Sequence, residues 1–271
     1  MTEVVLAVAS LTDRGLSRPV NEDSLFAAAP IFVVADGMGG YEAGDLASAA
    51  VVDAFRGLEG DGYGDLAGVR RSLVQASDAV AAVAGRTRRG AGSTVTGAML
   101  VEHGGVPYWL VFNVGDSRVY RHAGSDLVQL TVDHSLGQEL IELGELRRED
   151  LATFVDRNVI TRAIGAADST ADSWLVPVID GDRLLLCSDG LHSELTDETI
   201  RATLTLSGRP QQAADTLVEL AKEAGGRDNI TVIVVDVVSG GGALEGDDTG
   251  TTAARAVPGG DIDEDTVPVR P

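Results

Sequence analysis

Four aspartates recur at one kind of place in this chain: Asp36-Gly37 closes the apolar run Ile31 to Ala35, Asp189-Gly190 follows Leu184 to Cys187, Asp116 follows Tyr108 to Val114 after Gly115, and Asp228-Asn229 opens the run that starts at Ile230. One aspartate at such a junction is ordinary turn chemistry, because its short carboxylate bonds its own backbone and tolerates tight geometry. Four at the ends of core strands fit that account less well, since strand ends of one sheet can converge. Converged carboxylates cannot all stay ionised without a cation. The donors on offer are oxygens, with no accompanying cluster of His or Cys, and such a set suits Mg²⁺, Mn²⁺ or Ca²⁺. A glycine after the aspartate lets the backbone approach closely and offer its carbonyl as a further ligand.

The elements that must position these residues show in the hydrophobic periodicity. Val4 to Ala9 and Ile31 to Val34 read as buried strands. Leu46, Ala47, Ala50, Val51, Ala54, Phe55 and Leu58 recur at spacings of three and four, which predicts an amphipathic helix over 45–58, and a second helix follows over 66–83. From Ser93 to Thr131 the pattern is β, with strands at 94–96, 108–112, 118–120 and 127–130 joined by short Gly-containing turns. Connections this short join antiparallel strands, which disfavours a doubly wound nucleotide-binding fold. One or two short polar helices over 135–156 follow, then strands at 174–179 and 182–187, helices at 197–204 and 210–224, and a last strand at 230–238. The order implies an α+β fold, with helices packed on antiparallel sheets.

Composition narrows the function. The chain has 271 residues, 44% of them hydrophobic, enough for one sizeable domain with a large core. A net charge of −21 argues against binding a nucleic-acid backbone, where affinity comes from Lys and Arg. The single cysteine, Cys187, sits in an apolar run and reads as core; it rules out an intrachain disulfide and a Cys-rich zinc site. With no secretory signal pattern and no apolar run of membrane-spanning length, a cytoplasmic protein is expected. Composition shifts after Ser239: residues 240–242 are all Gly, and Asp, Glu, Thr, Pro and Ala dominate beyond. We therefore expect an ordered unit over 1–238 and an acidic, disordered tail over 239–271.

Eight motifs turn these expectations into a resemblance: R-P-V-N-E-D at 18–23, D-G-M-G-G at 36–40, G-A-G-S-T at 90–94, N-V-G-D-S-R at 113–118, T-V-D-H-S at 131–135, N-V-I-T-R-A-I-G at 158–165, L-C-S-D-G-L at 186–191 and G-R-D-N-I-T at 226–231. In this order, across nearly all of 1–238, the chain resembles the metal-dependent protein phosphatases of the 2C type in their bacterial form. The resemblance implies a four-layer αββα sandwich of two antiparallel sheets flanked by helices. It also implies hydrolysis of phosphoserine and phosphothreonine in proteins, opposing bacterial Ser/Thr kinases. Water activated between two Mn²⁺ or Mg²⁺ ions would attack phosphorus in line, with no phospho-enzyme. It further implies that Asp36 bridges the two ions and that the Gly37 carbonyl binds one of them. Asp189 and Asp228 would complete the first ion's shell, Glu22 would hold the second with Asp23 in support, and Asp116 with Asp189 would bind a third ion. Arg18 would grip the substrate phosphate with its planar fork of donors. Residues 135–165 match the family's flap beside the active site. A catalytically silent relative would have lost one of these ligands or the arginine; all are present.

One departure concerns the leaving group. Where animal members often carry a His proposed as general acid, this chain has Met38, which cannot donate a proton. A water on the metal or a nearby His must serve; His134 and His192 lie in or beside motifs, although a structural role is favoured for both. His103 and His122 fall in hairpin turns and are expected to be exposed, and Trp109 and Trp174 to be core. Arg86, Arg88 and Arg89 could attract acidic phosphopeptides, but a solvated turn is the better account. In the tail, Thr266 follows an acidic stretch that could make it a kinase site read by a phosphothreonine-binding partner, against the simpler account of a solubilising end.

Overall fold

The computed structural model describes residues 3–38, 43–60, 62–88 and 90–242. Strands β1 (Val5–Asp13), β2 (Asp23–Ala28) and β3 (Ile31–Met38) lead into helices α1 (Gly44–Phe55) and α2 (Leu66–Ala84). Strands β4 (Gly92–Ser93), β5 (Val95–His103), β6 (Val106–Val114), β7 (Arg118–Ala123) and β8 (Asp126–Gln129) follow, then α3 (Leu136–Glu142) and a 3₁₀ turn at Arg148–Thr153. The chain continues through β9 (Asp172–Pro177), β10 (Arg183–Cys187), α4 (Asp189–His192), α5 (Asp197–Leu206), α6 (Pro210–Ala224) and β11 (Ile230–Ser239).

The described strands form two sheets, one of five strands in the order β1-β11-β10-β7-β8 and one of six in the order β2-β3-β5-β6-β9, with the short β4 added to β3. Their pairings are antiparallel. The central strands are apolar on both faces because each face meets another layer. In β3, Phe32 and Val34 face the opposite sheet while Val33 and Ala35 face the helices. In β11, Ile233 and Val235 point between the sheets while Val232 and Val234 meet α5 and α6. The period of two thus generates a core between the sheets and one under each helix pair, the four-layer αββα arrangement expected from the motifs. Phe55 of α1 stacks on Phe112 of β6 with ring centroids 5.3 Å apart. Cys187, at the end of β10, is fully buried in the layer beneath α5 and α6.

The helix starts follow local chemistry. Asp65 caps α2 by accepting the Gly68 N–H, Thr196 caps α5 by accepting from Thr199, and Pro210 opens α6, where its missing N–H costs nothing. The periodicity missed three elements, the two-residue β4 among them. Strand β2 escaped notice because Asp23-Ser24 at its start and Ala27-Ala28 at its end dilute its apolar pattern. The single turn α4 is too short to carry one. His122 also corrects an expectation: it is buried, in β7 rather than a turn, with Nε2 2.9 Å from Thr205 Oγ1. His103 is exposed, and Trp109 and Trp174 are core. Residues 240–242 stay on the domain, since Gly242 donates to the Val178 carbonyl at 2.8 Å and accepts from Asp180 at 3.0 Å. Residues 243–271, Thr266 among them, and Arg89 lie outside the described residues.

Phe112→Ala should cost roughly 3–5 kcal/mol, because it removes a buried ring stacked between layers that cannot collapse into the space. Urea unfolding of the variant against wild type measures it.

Candidate metal centre

The two sheets deliver the acidic residues to one place. They come from both sheets, not from the strand ends of one. Asp36 lies inside β3 of the six-stranded sheet, directly opposite Asp23 of β2 in the register. Asp189 and Asp228 come from the five-stranded sheet, after β10 and before β11, and Asp116 comes from the turn where the chain passes from β6 to β7.

Asp36 is held at its backbone. Its N–H donates to Thr94 Oγ1 at 3.0 Å, and its carbonyl accepts from the Thr94 N–H at 2.9 Å and the Ser93 hydroxyl at 3.0 Å. Its side chain is therefore free of backbone duty. Gly37 is required by close approach: a Cβ there would lie 2.0 Å from the Gly44 carbonyl oxygen. A Cβ on Gly44 would in turn lie 2.3 Å from Glu22 Oε1 and 3.0 Å from the Gly37 carbonyl oxygen. The Glu22 carboxylate and the Gly37 carbonyl thus converge at the start of α1.

The opposite wall rests on Asn229, a residue whose part the motif reading did not assign. Its Oδ1 accepts the Glu22 N–H at 2.8 Å, while its Nδ2 donates to the carbonyls of Arg14 at 2.9 Å and Val20 at 3.0 Å. One buried amide thereby fixes the segment that carries both Arg18 and Glu22. Gly190 packs so closely on Asn229 that a Cβ would come within 1.9 Å of its carbonyl oxygen, which locks the Asp189 turn onto the Asp228 turn. Asp228 Oδ1 accepts the Asn229 N–H at 2.8 Å, and its Oδ2 accepts Arg18 Nη2 at 2.6 Å.

The electrostatics of this cluster are adverse. Asp36, Asp116, Asp189 and Asp23 are all raised above the ordinary carboxylate range, in each case first by burial and further by the charge of neighbouring aspartates, Asp228 among them for Asp36, Asp189 and Asp23. Burial also raises Glu22, against the pull of Arg18. Asp23 Oδ2 accepts from Ser188 at 2.7 Å and Thr231 at 2.6 Å. Asp23 Oδ1, Asp116 Oδ1 and Asp189 Oδ1 are buried without a hydrogen-bond partner. Buried acceptors left unpaired are costly, and repelling carboxylates more so. A divalent cation answers both, and an all-oxygen donor set suits Mn²⁺ or Mg²⁺. Among the described residues no three His, Cys, Asp or Glu side chains close into a single ligand shell. The fit therefore rests on the orphaned oxygens and their mutual repulsion. Residues 39 and 40 of the D-G-M-G-G motif lie outside the described residues.

Neither candidate histidine is placed to donate a proton to a leaving group. Burial pushes His192 down to about 3, so it is neutral, and it donates from Nε2 to the Asp116 carbonyl at 3.0 Å. His134 accepts the Gly115 N–H at Nδ1, which puts its proton on Nε2, facing Asp172 Oδ2 at 3.2 Å. Both histidines hold the turn that carries Asp116. The flap-matching segment is tied in by bridges from Ser135 to Ile160 and from Ser93 to Ile164, next to the backbone grip on Asp36.

A family model described as "Protein phosphatase 2C" matches residues 17–223. The chain is 35% identical over 269 residues to the serine/threonine protein phosphatase PstP of Mycobacterium tuberculosis, an alignment covering 94% of this chain and 51% of that protein, so the chain spans about half the length of that curated relative. It is 34% identical over 243 residues to the serine/threonine phosphatase stp of Listeria monocytogenes, covering 83% of this chain and 93% of that protein. The crystal structure of the catalytic domain of PstP in complex with two manganese ions matches with a TM-score of 0.77 at 35% identity, covering 87% of this chain and 100% of that one.

The raised aspartates have a pH signature. Unfolded aspartate titrates near 4. Where the folded value is higher, the folded chain keeps protons that the unfolded chain has shed, so stability falls as pH rises above about 4. In EDTA at pH 8, Asp36→Asn should therefore melt higher than wild type, by roughly 2–4 °C for each kcal/mol of repulsion relieved. The gap should close toward pH 4, and added Mn²⁺ should reverse the order; thermal melts across pH measure all three.

Proposed function

The chain belongs to the protein phosphatase 2C family, and on that premise we propose that it is a metal-dependent protein serine/threonine phosphatase. The observation that carries this is the set of buried, mutually repelling aspartates from two sheets with one arginine fork at their edge. In this proposal Asp36, the Gly37 carbonyl, Asp189, Asp228, Glu22 and Asp116 hold two or three Mn²⁺ or Mg²⁺ ions, and Asp23 supports them from between the sheets. Bound there, the ions supply Lewis-acid activation of water and charge to offset the phosphoryl oxygens.

The chain's own groups do the rest. Arg18, 49% exposed at the rim, reaches outward from Asp228 to receive the substrate phosphate, and its planar fork fixes the orientation of the phosphoryl group for in-line attack. Asp23, clasped by Ser188 and Thr231, keeps the two sheets in register beneath the reacting atoms. Met38 has no proton to give, and the protons of His134 and His192 are already engaged, so the proton for the departing seryl or threonyl oxygen comes from water.

We propose that the catalytic unit expected at 1–238 runs on to residue 242, where Gly242 pairs with Val178 and Asp180, with the acidic tail after it; phosphorylated proteins are the proposed substrates, with Ser/Thr kinases as the opposing activity in the cytoplasm. Among the described residues no helix is long and apolar enough to cross a membrane. The excess of carboxylates leaves nucleic acid a poor partner.

Wild type with Mn²⁺ should hydrolyse p-nitrophenyl phosphate and a phosphothreonine peptide, and Asp36→Ala or Asp189→Ala should abolish both. Arg18→Ala should lower kcat/KM about ten- to hundred-fold, the worth of a charged hydrogen bond to phosphate. Inert wild type at saturating Mn²⁺, or a fully active Asp36→Ala, would sink the assignment.

A further inference from the structure

Glu194 lies five residues after Asp189, just past α4, with its side chain 2% exposed. Its Oε1 accepts the backbone N–H of Arg227 at 3.0 Å and the Arg227 Nε at 2.8 Å, and its Oε2 accepts Nη2 at 2.8 Å. All three bonds end on the residue immediately before Asp228. The turn they hold needs two glycines, Gly225 at φ 157° and Gly226 at φ 54°. A Cβ on Gly225 would lie 2.9 Å from Glu194 Oε2, so the clasp fills the space a side chain would need. The same turn receives the other wall, because the Gly226 carbonyl accepts the N–H of Leu16 at 2.7 Å and of Ser17 at 3.3 Å, just before Arg18.

We infer that Glu194, acting through Arg227, is a positioning residue that sets the spacing of Asp228 from Asp189 and so tunes the affinity for the divalent cation; this rests on the metal-dependent reading above. The argument is one of leverage. The Arg227 end of the pair is 68% exposed, so truncating that arginine should cost little stability. The pair does fix the peptide that leads into one ligand and joins it to the segment that carries another. Groups that orient metal ligands in this way commonly change affinity ten- to hundred-fold when lost.

The test is Mn²⁺ titration by calorimetry of wild type, Glu194→Ala and Arg227→Ala, with the thermal midpoint of each protein in EDTA and its p-nitrophenyl phosphate activity against Mn²⁺ concentration. Glu194→Ala should weaken Mn²⁺ binding roughly ten-fold. Arg227→Ala should weaken it less, because its backbone N–H still bonds Glu194, and Arg227→Lys should recover part of that loss. The Mn²⁺ needed for half-maximal rate should rise in step while kcat at saturating Mn²⁺ stays near wild type in both, and the EDTA midpoint of Arg227→Ala stays near wild type. Wild-type Mn²⁺ affinity in both alanine variants overturns the proposal, and so does a loss of affinity that merely follows a lowered midpoint. If Glu194→Ala does not fold, Arg227→Ala at wild-type affinity overturns it alone. A wild type that binds Mn²⁺ yet hydrolyses nothing would count against the phosphatase function while leaving the clasp measurable.

Discussion

Everything at the centre of this protein follows from like charge buried together. Asp36, Asp116, Asp189 and Asp23 are withdrawn from water and face one another, with Arg18 and Arg118 as the nearby countercharges. A fold of marginal stability can hold such an arrangement only if the surrounding layers are rigid and well filled. The apolar strands that meet between the sheets, and the helices that cover both outer faces, supply that rigidity. On the proposed reading, the same adverse electrostatics would draw cations to the site, so the strain and the function would have one cause.

The division of labour between the sheets explains how the carboxylates are aimed. Asp36 belongs to a strand and is gripped through its backbone by Ser93 and Thr94, so its direction is set by β pairing. Asp189 and Asp228 belong to turns and are set by contact between those turns, where Gly190 meets Asn229. Asp23 spans the gap: it sits in β2 but takes its hydrogen bonds from Ser188 and Thr231 across the core. A shift of one sheet against the other would strain these bonds as it moved Asp36 relative to Asp189.

Much of this was legible in the sequence, because period-two runs, Gly-containing turns and amphipathic helices are local signals. Strand β2 was not, because its pattern fades into alanine and its identity comes from pairing with β3. The acidic residues stood out by type and by their glycine neighbours, but nothing local said that they come from two sheets. Asn229 shows the limit most clearly. It stands in a motif beside Asp228, yet its three side-chain bonds run to residues more than two hundred positions away. His122 misled for the opposite reason: its neighbour Gly124 suggested an open turn, while α5, distant in sequence, covers it.

The lone thiol carries a different consequence. Cys187 ends the strand that leads to Asp189, yet it is sealed beneath α5 and α6, and burial pushes its thiol up to about 12. At physiological pH it is neither ionised nor reachable, and the sulfur offers nothing for peroxide to oxidise or for an alkylating agent to capture. Under the proposed function, oxidation of Cys187 would therefore be no route to switching the centre off, unlike in enzymes that work through an exposed thiolate.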